Sequence, residues 1–211
     1  MSLSKLTIII PTFYPGKIIK KCLESLPRTS EIIIIDNGDD SELEKIIKLQ
    51  KHKIKHYKVG DVGLSKSFNI ALAKSKNENI LITQPDVYFE KNSIINLVKA
   101  QKKYTKVGII SPLLFEKKKY SQYDYLDLSL SKLGMLENKR RPKKINVFPS
   151  GDICVEAVNA TAMLIKKSII RKINGWDENI YTYHEDIDLC LRLRKKGYSI
   201  MKIKNSIAHH V

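Results

Sequence analysis

The stretch TIIIPTFYPGKIIKKCLESLPRTSEIIIID, residues 7–36, decides the fold. Leu6 to Pro11 is an apolar, β-branched run ended by proline, and so reads as a buried strand. From Lys17 to Leu26 the apolar residues Ile18, Ile19, Cys22, Leu23 and Leu26 recur at helical spacing, and Pro27 stops the helix. Glu31 to Asp36 is a second strand. Strand, helix and strand joined by short turns predict parallel pairing in an α/β protein.

The pattern continues outward. Ser41 is expected to cap a helix running to about Lys51, with Glu44 completing a capping box. Ile54 to Val59 reads as a strand, Ser65 to Ser75 as a helix, and Asn79 to Thr83 as a fourth strand. Asn92 is expected to cap a helix through about Tyr104, before a strand at Val107 to Ser111. Phe115 to Pro149 is a long, weakly periodic excursion, of the kind that is functional or disordered inside a compact domain. Beyond it, Val155 to Lys166 is strand-like and Ser168 to Ile173 is a short helix. Glu185 to Lys196 is helical and closed by Gly197, and Tyr198 to Lys202 is the last strand. The expectation is one domain over residues 1–211, with a mostly parallel central sheet and helices on both faces. Ligands of such sheets bind outside the carboxyl ends of the strands, where Thr12, Phe13, Asp36, Asn37 and Asp86 fall.

Composition narrows the classes. No apolar run approaches the roughly 20 residues of a membrane span, and the stretch after Met1 reads as a strand rather than a signal peptide. Cys22, Cys154 and Cys190 are odd in number and far apart, which suggests reduced thiols in a cytosolic setting. A formal charge of +16 attracts polyanions or phosphate-bearing molecules. The lysines are scattered, however, and no nucleic-acid-binding motif accompanies them, so no nucleic-acid partner is expected. The one dense cluster, Lys139, Arg140, Arg141, Lys143 and Lys144, fits a solvated loop or docking to an anionic acceptor or membrane surface equally well.

A resemblance covers nearly the whole chain. EIIIIDNGDD, DVGLSKSFNIALAKS, NILITQPDVYF and NATAMLIKKSIIRKINGWDENIYTYHEDIDLCLRLRKKGYSIMKI follow the opening strand and helix in order, and AHH closes the series. Together they resemble the family-2 inverting glycosyltransferases of A-type fold, most specifically their rhamnosyltransferase-like branch, which builds bacterial surface polysaccharides. Many relatives continue past the point where this sequence ends, so further acceptor-binding parts are expected beyond it.

The resemblance implies a nucleoside-diphosphate sugar donor, with rhamnose the first guess, and a saccharide or lipid-linked saccharide acceptor. It also implies cytoplasmic chemistry and leaves room for peripheral contact with the inner membrane face. On the donor side, Phe13 stands where similar enzymes place a ring on the base, Pro11 and Thr12 offer backbone contacts, and Asp36 accepts from base or ribose. Read locally, Asp36 is also a plain turn residue before Asn37-Gly38. Gly63 permits an unusual backbone before a helix start, suited to an anion or a close approach. Asn69 either joins the donor site or fixes that loop, and Asn159 is expected to line the donor-sugar pocket.

Relatives hold a divalent ion, manganese or magnesium, through a D-x-D triplet. Here the triplet is Gln84-Pro85-Asp86, which leaves one carboxylate, and an amide oxygen is the weaker ligand. His209 or His210 resembles a histidine that completes the metal shell. In the HED sequence at 184–186, Asp186 is implied as the base that deprotonates the acceptor, with Glu185 the runner-up and Asp188 structural. Trp176 and Asp177 are implied as the acceptor-side wall, although a lone Trp after a turn suits a core equally. A nucleotidyltransferase would share the sheet but need a glycine-rich loop after the first strand, which PTFYPGK lacks. A non-catalytic sugar-nucleotide binder with a degraded metal site is the alternative.

Overall fold

The computed structural model describes residues 3–116, 128–130, 136–138 and 150–211. Strand β1 (Leu6–Thr12) leads through a short 3-10 turn into α1 (Ile19–Ser25), followed by β2 (Glu31–Asp36), α2 (Ser41–Lys48) and β3 (Ile54–Lys58). Next come α3 (Gly63–Lys74), β4 (Asn79–Thr83), β5 (Val87–Phe89), α4 (Ser93–Lys103) and β6 (Val107–Glu116). β7 (Leu128–Leu130) and β8 (Leu136–Asn138) pair only with each other. β9 (Ile153–Val155), β10 (Ala162–Lys166), α5 (Lys167–Lys172), α6 (Glu185–Lys195) and β11 (Ser199–His210) complete the order.

The nine-stranded sheet runs β3-β2-β1-β4-β10-β6-β11-β5, with β9 on β11. β1, β2, β3, β4, β6 and β11 point one way, and β10, β5 and β9 run against them. Direction is therefore mostly parallel, as expected. The isoleucine runs show why: strands covered on both faces have no polar side to present. Ile8, Ile10, Ile32 and Ile34 pack with residues of α1, α2 and α4. Their neighbours Ile9, Ile33 and Ile35 turn to the other face, among Phe68, Ile170, Trp176 and Leu193. Ile8 to Ile10 and Ile32 to Ile35 are all fully buried, each contributing about 1.5–3 kcal/mol. Period-two alternation thus builds both cores from one strand.

Several local expectations are corrected. The cap of α2 is Asp40, not Ser41: Asp36 Oδ2 accepts from the Asp40 N–H at 3.1 Å, and the Asp40 carboxylate accepts from Glu42 N–H at 2.8 Å. Glu44 forms no capping box and instead pairs with Lys58 at 2.5 Å. Asn92 precedes α4 in a left-handed conformation without a side-chain cap bond. The stretch expected as one strand from Val155 to Lys166 is two, because β9 pairs with β11 while β10 pairs with β4 and β6, and the chain turns between them. β11 runs eight residues past Lys202, to His210, across a register shift between Ile203 and Ile207 that hides its continuation. The cluster at 139–144 and most of the 115–149 excursion lie outside the described residues.

Candidate active site

Strand direction gathers the polar residues at one edge. Thr12, Asp36 and Thr83 end parallel strands, Gln84 to Asp86 form the turn after β4, and His210 ends β11. β10 runs the other way, so its beginning lies at this same edge, where Ala162 pairs with Thr83. β1 separates β2 from β4, so the strand ends at Asp36 and Thr83 are two strand spacings apart, ~10 Å.

Asp186 reaches this edge from the first turn of α6. Its Oδ2 accepts from Ala160 N–H at 2.9 Å, and its Oδ1 from its neighbour Ile187 N–H at 2.7 Å. The next residue, Thr161, takes both the Gln84 N–H (3.3 Å) and the Thr83 hydroxyl (3.1 Å) on its carbonyl oxygen. Two consecutive residues, Ala160 and Thr161, thus bring the Asp186 carboxylate and the Gln84–Asp86 turn together. Burial raises the Asp186 pKa, against the backbone hydrogen bonds. Glu185 is less exposed, at 4%, with Oε2 lacking a hydrogen-bond partner among the described residues. Burial, and then the Asp186 charge, push its carboxyl up to about 7. The backbone before this pair is unusual: Tyr183 and His184 both have positive φ, 63° and 69°. Strain of this kind collects at functional sites and survives only where the surroundings enforce it.

Glu185 carries a pH signature. Its folded pKa of about 7 exceeds its ordinary 4.5, so the folded chain holds the proton more tightly than the unfolded one. Its contribution to stability is complete below the unfolded value and is lost as pH rises through the folded value. Melting curves between pH 4.5 and 7.5 should show the parent losing stability relative to Glu185→Gln; parallel curves would contradict this environment.

Asp86 divides its carboxylate. Oδ2 lies 3.1 Å from His210 Nε2, while Oδ1 is buried without a hydrogen-bond partner. The hairpin-like pairing of β5 with β11 makes the contact, setting His210 opposite Val87. A buried anionic oxygen left open beside an imidazole fits a divalent ion. Among the described residues no group of three or more His, Cys, Asp or Glu side chains is assembled to hold one. His209 is turned away by strand alternation: it stacks on Tyr88 at 4.7 Å and its Nε2 meets Glu90 at 2.8 Å. The histidine pair therefore separates, and only His210 faces Asp86. The Gln84 side chain makes no hydrogen bond to a described residue, and neither does Asn159.

On the β1–β2 side, Phe13 and Tyr14 are 60% and 62% exposed and meet edge to face at 5.0 Å. Phe13 is thus available to a flat ligand. Pro11 and Thr12 are buried, and the Thr12 carbonyl already accepts from the Asn37 backbone and side-chain N–H groups at 2.9 and 3.2 Å. Asp36 is fully buried. Its Oδ1 accepts from Gly38 N–H at 3.1 Å, and its Oδ2 faces Asp40 N–H and His56 Nε2, each at 3.1 Å. The carboxylate expected to meet a base also shapes residues 37–40. His56 lies mid-strand in no motif and so escapes a reading of the sequence, whereas Asn37 stands at the strand end where a polar residue is expected: its Oδ1 accepts from Ser67 Oγ at 2.9 Å, tying the end of β2 to α3.

Gly63 and Asn69, expected near the donor, hold the chain that leads to the acids. A Cβ on Gly63, at φ +78°, would lie 2.4 Å from the Tyr181 carbonyl oxygen. That same oxygen accepts from Leu64 N–H at 2.8 Å, Ser65 Oγ donates to the Ile180 carbonyl at 2.5 Å, and the Tyr181 hydroxyl donates to Asp61. Asn69 uses both ends of its amide: Nδ2 donates to the Trp176 carbonyl at 2.9 Å and Oδ1 accepts from Trp176 N–H at 3.0 Å. Arg192 donates to the carbonyls of Ile173 and Gly175 and pairs with Asp188 at 2.7 Å, the structural role expected for Asp188. Trp176, expected on the acceptor side or in the core, is 2% exposed and packs on Phe68 at 5.1 Å. Asp177 is exposed and closes a turn onto Asn179 N–H at 3.0 Å.

Gly63→Ala follows from this contact. The left-handed backbone alone costs an alanine ~1–2 kcal/mol, and the clash is with backbone rather than a yielding side chain. A loss of at least ~2 kcal/mol, or roughly 4–8 °C in Tm for a chain of this size, is expected by calorimetry, and an unchanged Tm would refute the packing.

The sheet order and the acid- and histidine-bearing edge define an A-type glycosyltransferase fold. The model for Glycosyl transferase family 2 matches residues 7–171. Rhamnosyltransferase WbbL of Escherichia coli K12 is 30% identical, over 90% of this chain and 77% of its own. The N-acetylglucosaminyl-diphospho-decaprenol L-rhamnosyltransferase of Mycobacterium tuberculosis is 22% identical, over 97% of this chain and 76% of its own. Among solved structures, GalNAc-T7 with UDP, GalNAc and Mn2+ superposes with a TM-score of 0.79 at 14% identity, over 98% of this chain and 43% of that one. The mannosyltransferase PcManGT of Pyrobaculum calidifontis, in complex with GDP-Man and Mn2+, gives 0.70 at 13% identity, over 98% and 56%. This chain thus spans about half the length of those solved proteins. It belongs to glycosyl transferase family 2, a family of nucleotide-sugar glycosyltransferases, and to its rhamnosyltransferase-like branch.

Proposed function

We propose that this chain moves a sugar, rhamnose in the first instance, from a nucleoside-diphosphate donor to a hydroxyl of a saccharide or lipid-linked saccharide, with inversion at the anomeric carbon. The observation that carries the reading is the link from Asp186 through Ala160 and Thr161 to the Asp86 turn. A carboxylate fixed by backbone donors beside a turn suited to a diphosphate has the two parts that an in-line displacement needs. Asp186 takes the acceptor proton as the hydroxyl oxygen attacks C1, and the C1–O bond to the diphosphate breaks on the opposite side. Glu185 holds a proton up to about pH 7 and so spares Asp186 a second adjacent charge.

Asp86 and His210 would hold a divalent ion, which supplies charge neutralisation at the leaving diphosphate. The exposed Phe13 is the surface offered to the base, and Asp36 supports it indirectly by ordering residues 37–40. Support for the donor class comes from the family and from structural neighbours crystallised with UDP or GDP-Man. Support for a lipid-linked acceptor comes from the decaprenol-linked substrate named for the mycobacterial relative. The same proposal places the chemistry at the cytoplasmic side, with peripheral contact to the inner membrane face; no described helix is long and apolar enough to cross a membrane.

The test is a donor screen with manganese, scoring nucleoside diphosphate release with and without a lipid-linked saccharide. Acceptor-dependent release from deoxythymidine- or uridine-diphosphate sugars is expected. Tight nucleotide binding with no release from any donor would instead mark a non-catalytic binder.

A further inference from the structure

A cavity of about 450 Å³ opens beside Asp86, on the side of the sheet covered by α1. Lys17, Lys20 and Lys21 line it, together with Glu24, Asp86 and Tyr88. None of the three lysines is in an ion pair with a described carboxylate, although Glu24 stands four residues from Lys20, at helical pairing distance. Lys21 Nζ instead sits 3.5 Å from the centre of the Tyr88 ring, which holds the ammonium over the cavity. The wall is not a loose surface. Cys22 Sγ donates to the Gln84 carbonyl at 3.6 Å, and Phe89 N–H donates to Ser25 Oγ at 3.1 Å. α1 is therefore fastened to both ends of the segment that bears Asp86.

The charge balance singles out the ligand. In the turn Gln84-Pro85-Asp86 one carboxylate stands where two would bind an ion more firmly, so less positive charge is gathered by the metal route. Three unpaired ammonium groups at the same turn supply it directly, and lysine is a compact point charge suited to phosphate oxygens. We propose that Lys17, Lys20 and Lys21 form a subsite for a pyrophosphate group, entered through the cavity beside Asp86 and able to hold the anion without a metal. The proposal rests on the reading of this chain as a transferase acting at a diphosphate. Two molecules present that chemistry: the nucleotide-sugar donor, and an acceptor carried on a lipid pyrophosphate.

The experiment is calorimetric titration of the full chain with inorganic pyrophosphate in EDTA. The triple variant Lys17→Ala/Lys20→Ala/Lys21→Ala is compared with Lys45→Ala/Lys48→Ala/Lys51→Ala, which removes the same charge from α2 and the turn after it. Binding by the parent and the control, with a loss of about tenfold or more and a shallower salt dependence in the α1 variant, is the expected result. Equal weakening in both variants, or no binding by the parent in EDTA, would overturn the subsite. UDP with manganese and farnesyl pyrophosphate in EDTA then separate the sources. Weakened UDP binding in the α1 variant assigns the donor, whereas loss confined to farnesyl pyrophosphate assigns the acceptor. If the parent binds UDP with manganese but no pyrophosphate in EDTA, only the subsite falls; if it binds neither, the transferase reading falls with it.

Discussion

Asp186→Asn is expected to lower sugar transfer by roughly 10²–10⁴-fold, the range of a general base, while nucleoside diphosphate affinity stays within about twofold. The substitution keeps the shape of the side chain but only one of the two acceptors that meet the Ala160 and Ile187 N–H groups, so a melting curve measured alongside should show a folded variant of modestly lower Tm. What it removes is the capacity to accept a proton. Glu185 cannot stand in: it is 4% exposed, and moving it to the acceptor would require α6 to turn. Burial raises the Asp186 pKa, so the parental rate should decline on the acid side at a higher pH than an ordinary carboxylate would give. Initial rates across pH, with nucleotide affinity measured alongside, check both points. Transfer by Asp186→Asn at the parental rate would sink the assignment.

The second large effect is at Asp86. Asp86→Ala should abolish the manganese dependence of nucleotide binding and cut transfer by ~10²-fold or more, since a metal at a leaving phosphate is worth several kcal/mol. The reason is arithmetic. Among the described residues, His210 is the metal-ligating side chain that hydrogen-bonds Asp86, and no group of three or more such side chains is assembled there to compensate. His210→Ala should cost less, because an imidazole contributes no charge, and His209→Ala least, since that ring packs on Tyr88. This order, read from nucleotide titrations with and without manganese, also tests the separation of the two histidines. Equal losses from His209→Ala and His210→Ala would contradict it.

The repeated strand–helix pattern made the parallel half of the sheet legible, because Ile8 to Ile10 and Ile32 to Ile35 are buried on both faces and carry an unmistakable composition. β5 was invisible: three residues cannot show a period, and Val87 to Phe89 is a strand only because β11 lies beside it. β11 itself hid its second half, since the register shift at Ile203/Ile207 breaks the alternation that would announce it. In the site, Asp86 and Asp186 were readable as residue types in known order. Their environment was not: the link through Ala160 and Thr161 is made by backbone atoms, which have no sequence signature. For Trp176 and Asn69 the sequence leaves two readings each, acceptor side or core and donor site or loop support; the contacts put Trp176 in the core and spend the Asn69 amide on the Trp176 backbone. At Asp36 only coordinates reveal that Gly38, Asp40 and His56 meet its oxygens.

In the proposed reaction one sheet edge brings the Asp86 turn and Asp186 to bear on a single donor. A crystal structure with UDP and manganese measures this directly. The metal is expected bonded to an Asp86 oxygen and to the diphosphate, with the Asp186 carboxylate facing the side of the diphosphate where the sugar would lie. Nucleotide seated away from Asp86, or a diphosphate screened from Asp186 by intervening chain, would contradict it.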